Sequence, residues 1–274
     1  MDVAAGAGAG DAGRPGPPSL GTSALLRRLG DASLWELEVT GNLSITPSMR
    51  RIRCTAPGLA GLAYLPGQDL MFAVPAADGT SFRRRYTIRS IDRPTSSIDV
   101  DIVLHGDGPG SAWAASARPG VRIEAIGPRG KVTVDQAADW HLFAGDDSAL
   151  PASLAMAESL SSADAAVVVL EVDGPADQQP ASTAGGRAIP VHWVHRAGAD
   201  PDSSTNLVAA LRGLAIPPGP GHAYLAGELG MVADMRAALL ERGLAPEQIS
   251  AKPYWRAGVA NAAHGEPERP AADG

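Results

Sequence analysis

A chain of 274 residues with a formal charge of −7 is long enough for two domains, and its 45% apolar content can bury a sizeable core although aromatics supply only 4%. A pI near 5.3 argues against general nucleic-acid binding, which needs a basic footprint, but leaves room for one cleft of opposite sign. The single cysteine, Cys54, excludes an internal disulfide and a four-cysteine iron–sulfur cluster and reads as a buried thiol, and no apolar run approaches the roughly 18 residues of a membrane span.

Residues 1–29 open with "MDVAAGAGAGDAGRPGPPS", which lacks the basic and apolar regions of a secretory signal. Its Gly, Ala and Pro content reads as a disordered tail on a cytoplasmic protein. Strand patterns follow. In "SLWELEVTGNLSI", Trp35, Leu37 and Val39 share one face, while Leu34, Glu36, Glu38 and Thr40 share the other. In "SIDVDIVLH", Ile98, Val100, Ile102 and Leu104 alternate with Asp99 and Asp101. Gly/Pro turns at "LPGQ", "GDGPG" and "RPGVRIEAIGPRG" point to an antiparallel barrel or sandwich over 30–136. Arg50, Arg51 and Arg53 read as a solvated strand face.

Near residue 138 the character changes. The apolar runs "DWHLFAG", "AAVVVLEV", "IPVHWVH" and "HAYLAG" alternate with helix-like stretches. Leu150, Leu154 and Ala157 share a helical face behind a Ser148 N-cap, and Val232, Met235 and Leu239 share another before Gly243. Strands alternating with helices predict parallel βαβ units over 138–258, followed by a polar, disordered tail at 259–274. His192 and His195 have opposite parity in a strand, which argues against a shared metal.

Three turns carry candidate chemistry. In "FRRRYTIRS" an extended strand puts Arg84, Tyr86 and Ile88 on one face and Arg85, Thr87 and Arg89 on the other. Arg84 suits a diphosphate and Tyr86 offers a ring and a hydroxyl, although an ordinary edge strand would read the same way. "HGDGPGSAWA" (105–114) follows a strand and opens a short helix; its glycines admit a phosphate, and Ser111 would cap the helix or bond the ligand. A glycine-rich hairpin is the alternative. "AGDDSALPA" (144–152) and "AGELG" (226–230) end two strands of the second domain, where a dinucleotide would lie across the sheet edge. The first is not G-x-G-x-x-G and would otherwise be a plain helix cap.

With "ITPSMRRIRCTAPGL", "IGPRG" and "YWRAG", these segments stand in an order that resembles the siderophore-interacting proteins, flavin-dependent ferric-siderophore reductases of the ferredoxin-reductase type. The resemblance runs from about Leu37 to Gly258. It implies a two-domain β + α/β protein: an antiparallel β-barrel flavin domain, then a parallel-sheet α/β nucleotide-binding domain. It implies FAD held by Arg84, Tyr86, Thr87, His105, Gly106, Gly108 and Ser111, with Thr87 near the ring's reactive edge. NADH or NADPH would be held by Gly145, Asp146, Asp147, Ser148, Gly227 and Glu228.

A ferric siderophore is the implied substrate, and no side chain need act as acid or base. Lys252, Tyr254, Trp255 and Arg256 of "AKPYWRAG", placed beyond the last predicted strand, would receive it as an open, salt-screened pocket. Pro253 stands where the family often has glycine. Two alternatives remain: a general NAD(P)H:flavin or ferredoxin-type reductase, with ferredoxin as an external protein, and a non-catalytic ferric-siderophore-binding protein. Glu171 and Asp173 favour NADH; Arg196 favours NADPH.

Overall fold

The turns seen in the sequence separate two sheets. The computed structural model describes residues 33–259 apart from 77–78, 107, 162–163 and 202–204; the tails expected at 1–29 and 259–274 lie outside the described residues, save Val259. The first sheet contains β1 (Ser33–Thr46), β2 (Met49–Thr55), β3 (Asp69–Pro75), β4 (Ser81–Thr87), β5 (Ser90–Asp92), β6 (Ser97–Val103) and β7 (Arg122–Arg129). The order is β4-β3-β7-β1-β2-β6-β5, with every pair antiparallel. It curls until the chain leaving β4 reaches β6, where the Arg89 amide donates to the Asp99 carbonyl at 2.8 Å. The expected barrel is therefore present.

Alternation fills its interior with Leu37, Val39, Ile52, Cys54, Leu70, Phe72, Ile98 and Val100, all at most 1% exposed. Each large side chain contributes roughly 1.5–3 kcal/mol by leaving water. Cys54 sits in this core as an inert thiol whose pKa burial pushes up to about 12. One short helix, α1 (Pro109–Ser116), lies against it through Trp113 and Ala114.

The second sheet is parallel and contains β8 (Trp140–Gly145), β9 (Ala165–Val172), β10 (Val191–His195), β11 (Gly221–Glu228) and β12 (Ile249–Trp255), in the order β10-β9-β8-β11-β12. Helices α2 (Leu150–Ser159), α3 (Asn206–Gly213) and α4 (Leu229–Glu241) connect them. Val232, Met235 and Leu239 do form the buried face of α4, and Gly243 follows it at φ +93°. Chain order reverses between β8 and β11, which makes their carboxyl ends the topological switch point.

Four expectations change. "AKPYWRAG" is not past the sheet: Ile249–Trp255 is its fifth strand, with Ala226 opposite Lys252. Helix α3 has no counterpart among the predicted elements. Ser148 does not cap α2, because Ala149 holds that position and Ser148 bonds back to Asp146. Arg51 and Arg53 are not merely solvated; they make paired bonds of 2.7–2.8 Å to Asp101 and Asp99 across β2 and β6. Those pairs let β6 be buried on both faces despite its aspartates.

The domains meet over an apolar patch in which Met49 and Val103 of the barrel pack with Phe143, Met156 and Leu170. Ser48 donates its amide and hydroxyl to Asp177 at 3.1 and 2.6 Å. Arg89 makes a two-point pair with Glu158 at 2.6 and 2.9 Å.

Candidate flavin and dinucleotide site

Strand β4 sorts its arginines by parity. On one face Tyr86 packs its ring against Phe72 and Trp113, with centroids 5.6 and 6.4 Å away. Burial pushes its phenol well above the usual pKa. Gly110 of α1 lies directly over it: a Cβ there would stand 2.5 Å from the Tyr86 hydroxyl and 3.8 Å from Arg84 Cγ. Arg84 thus runs beside the start of α1. Its guanidinium donates to the Arg83 carbonyl at 3.0 Å and lies 5.4 Å above the Phe82 ring. No carboxylate among the described residues pairs with it, and burial lowers its pKa.

Helix α1 begins with Gly108 in extended geometry and Pro109 in its first turn, with no side-chain cap. Ser111 is not that cap: its hydroxyl donates to the His105 carbonyl at 2.9 Å and accepts from the His105 amide at 3.1 Å, closing the 105–111 loop on itself. Gly106 in that loop takes φ +58°.

The opposite face of β4 turns toward the second domain. Arg85 makes a two-point pair with Asp69, at 2.8 and 2.7 Å, and Asp69 also accepts from Lys252 at 3.2 Å. Lys252 is 5% exposed and lies 5.6 Å from the Tyr254 ring centroid. It is therefore a buried interdomain cation, not the open, salt-screened one expected from the sequence. Burial raises the Tyr254 phenol pKa, and neighbouring Thr87 works the other way. Arg256 alone of this segment's charges is exposed.

At the switch point Gly145 and Ala226 are paired, and a Cβ on Gly145 would meet the Ala226 carbonyl at 2.2 Å. Gly227 has φ +132° and presses on Asp146. Asp146 is fully buried and accepts from the Ser148 amide and hydroxyl (2.9 and 2.5 Å), the Glu228 amide (2.8 Å) and the Trp255 indole (2.9 Å). Burial raises its pKa first, and neighbouring Asp147 adds to the rise. Glu228 caps α4, accepting from the Gly230 and Met231 amides. Asp147 pairs with Arg196 at 2.7 Å. Asp146 and Glu228 thus shape the turn from within, and Gly145 and Gly227, both buried, let its two strands close tightly.

Trp255 joins the two halves. Besides bonding Asp146, its ring stacks on His105 with centroids 5.6 Å apart.

Residues 138–258 match the family described as Siderophore-interacting protein, and 68–132 match the Siderophore-interacting FAD-binding domain. Ferric vibriobactin reductase ViuB of Vibrio cholerae is 36% identical over 188 residues, covering 67% of this chain and 68% of that one. The chain belongs to the siderophore-interacting protein family. A siderophore utilization protein from T. fusca superposes with a TM-score of 0.77 at 29% identity, over 86% of this chain and 97% of its own. Phthalate dioxygenase reductase, at TM-score 0.60 and 18% identity over 84% and 70% of the two chains, shows that the fold is ferredoxin-reductase-like.

As a siderophore-interacting protein the chain takes FAD, and its residues fit that group. A guanidinium with no carboxylate partner among the described residues, beside an uncapped helix start, suits a diphosphate. The absence of a side chain at Gly110 lets α1 approach Tyr86 and Arg84 closely. Sequence reasoning missed Gly110, Trp113 and Asp69. For Asp69 a signal existed: one acid opening the apolar strand "DLMFAV" requires a cationic partner.

Proposed function

We propose that this protein is a cytoplasmic NAD(P)H-dependent ferric-siderophore reductase. The observation that carries the reading is Trp255, whose indole bonds the dinucleotide turn at Asp146 and stacks on His105 in the flavin loop. It brings two nucleotide sites to one point, which a binding protein without turnover has no need of. Bound FAD supplies acceptance of a hydride and release of single electrons, matching a two-electron donor to one-electron Fe(III).

The chain's residues position and shield. Arg84 and the start of α1 hold the diphosphate, with His105, Gly106, Gly108 and Ser111 shaping the loop around it. Tyr86 would line the ribityl and ring region, and Thr87, beside Tyr254, would border the ring's reactive edge. Gly145–Ser148 and Gly227–Glu228 form the surface that receives NAD(P)H. Trp255 and exposed Arg256 receive an anionic ferric siderophore, Tyr254 backs them against Thr87, and Lys252 supports Tyr254 from Asp69. Each hydride delivered reduces two ferric centres, and Fe(II) then leaves because hard oxygen ligands hold it less tightly. An external ferredoxin gains no support from the comparisons.

The test is anaerobic spectroscopy of purified protein with added FAD, NADH or NADPH, and then a ferric siderophore. The flavin band should appear, bleach with the nucleotide and return with the siderophore as a chromogenic chelator traps Fe(II). A flavin that bleaches but is not reoxidised by the siderophore would refute the substrate. Failure to bind FAD would refute the whole reading.

A further inference from the structure

The carboxyl edge of the parallel sheet carries a charge arrangement that bears on the donor. Gly145 lies opposite Leu170 and His195 opposite Val172, so Asp146–Asp147, Asp173 and Arg196 leave three neighbouring strands side by side. In sheets wound this way, the end of the strand next to the switch point meets the adenosine ribose. An acid there suits a free 2′-hydroxyl, whereas a 2′-phosphate calls for an available arginine.

Arg196 is not available. It is 7% exposed, its Nη2 donates to Asp147 at 2.7 Å, and its Nη1 is 3.9 Å from Glu171, which is fully buried. Its Nε and Nη1 are shut off from solvent and reach no hydrogen-bond partner among the described residues. Burial opposes its charge, but Asp147 and Glu171 outweigh that and raise its pKa. This is a guanidinium spent on neutralising two carboxylates. Its backbone is pinned as well: the Arg196 amide donates to the Val172 carbonyl at 3.0 Å and the Ala197 amide to the Asp173 carbonyl at 3.0 Å.

Asp173 is the group left facing outward. It is exposed, and it is held in place by the Gly198 amide, which donates to its Oδ1 at 2.9 Å. That bond uses Oδ1 and leaves Oδ2 as an acceptor on an exposed residue.

We propose that this edge selects NADH over NADPH, Asp173 receiving the adenosine ribose hydroxyl while Asp147 withholds Arg196 from a 2′-phosphate. The proposal rests on the reductase reading above, and names its donor.

Calorimetric titration of FAD-loaded protein with NAD⁺ and NADP⁺, beside flavin reduction by NADH and NADPH, tests it. NAD⁺ should bind about tenfold or more tightly than NADP⁺, the size of one like-charge contact near a surface. The gap should narrow with added salt. Asp173→Asn keeps an acceptor for the Gly198 amide and removes one negative charge. It should bring the two affinities together about threefold to tenfold, mainly by improving NADP⁺. Equal affinities in the wild type, or tighter NADP⁺, overturn the selectivity while leaving a nicotinamide-fed reductase intact. An unchanged gap in Asp173→Asn overturns the assignment to Asp173. Flavin that neither nucleotide binds to or reduces overturns the reductase reading and this inference with it.

Discussion

Replacing Arg84 by methionine should separate ligand binding from stability, because the two adjacent arginines of β4 are placed so differently. Among the described residues, Arg84 has the Arg83 carbonyl and the Phe82 ring as partners and no carboxylate, and burial works against its charge. Arg84→Met keeps most of the stem that packs beside α1 and removes the guanidinium. In FAD it should forfeit a charge-assisted bond of about 1.5–3 kcal/mol, weakening the cofactor roughly tenfold to a hundredfold. In the FAD-free protein it relieves a partly desolvated cation with no carboxylate partner among the described residues, so stability should stay within about 0.5 kcal/mol or rise. Arg85→Met is the control. It strips the two-point pair from Asp69, which is only 4% exposed and keeps Lys252, and should cost about 1.5–3 kcal/mol. FAD affinity by flavin fluorescence and urea unfolding of the FAD-free variants measure the two effects. The reasoning fails if Arg84→Met leaves FAD affinity within twofold of wild type, or destabilises the FAD-free protein as much as Arg85→Met does.

Gly110→Ala should cost about 1–3 kcal/mol and weaken FAD, since its Cβ would stand 2.5 Å from a Tyr86 hydroxyl whose ring is boxed in by Phe72 and Trp113; unchanged unfolding and FAD titration would contradict this. Lys252→Met should lower stability by about 1–3 kcal/mol with little salt dependence, because the lost cation is buried against Asp69. A loss that vanishes in high salt would instead mark Lys252 as exposed. His141 is 2% exposed and burial holds its imidazole below the usual 6.5, with Asp164 and Asp135 partly offsetting. The unfolded chain therefore takes up its proton first as pH falls, so this contribution is complete above about pH 6.5 and is lost below it. Melting curves from pH 7.5 to 5.5 should show that slope, and His141→Leu should flatten it.

The alternation of β1, β6 and β4 was legible because a strand's period of two needs no knowledge of its neighbours, and the same holds for the helical face of α4 and the stop at Gly243. Parity even separated Arg84 and Tyr86 from Arg85, Thr87 and Arg89. What parity cannot supply is the identity of the surface each face meets. Local pattern left α3 unseen, and it placed "AKPYWRAG" beyond the sheet because a short segment broken by a proline has a weak strand signal.

The amino-acid sequence by itself determined the periodicities and the glycine-rich turns, and so the two-sheet plan. Only the tertiary structure decided the state of each charge. Arg84 meets no carboxylate among the described residues, while Arg85, Arg89, Arg196 and Lys252 are consumed by Asp69, Glu158 and Asp147. The partners of Lys252 and Arg89 lie 183 and 69 residues away in sequence and on the other domain. The physical reason is that a carboxylate neutralises a cation over a few ångströms, and only folding sets those distances.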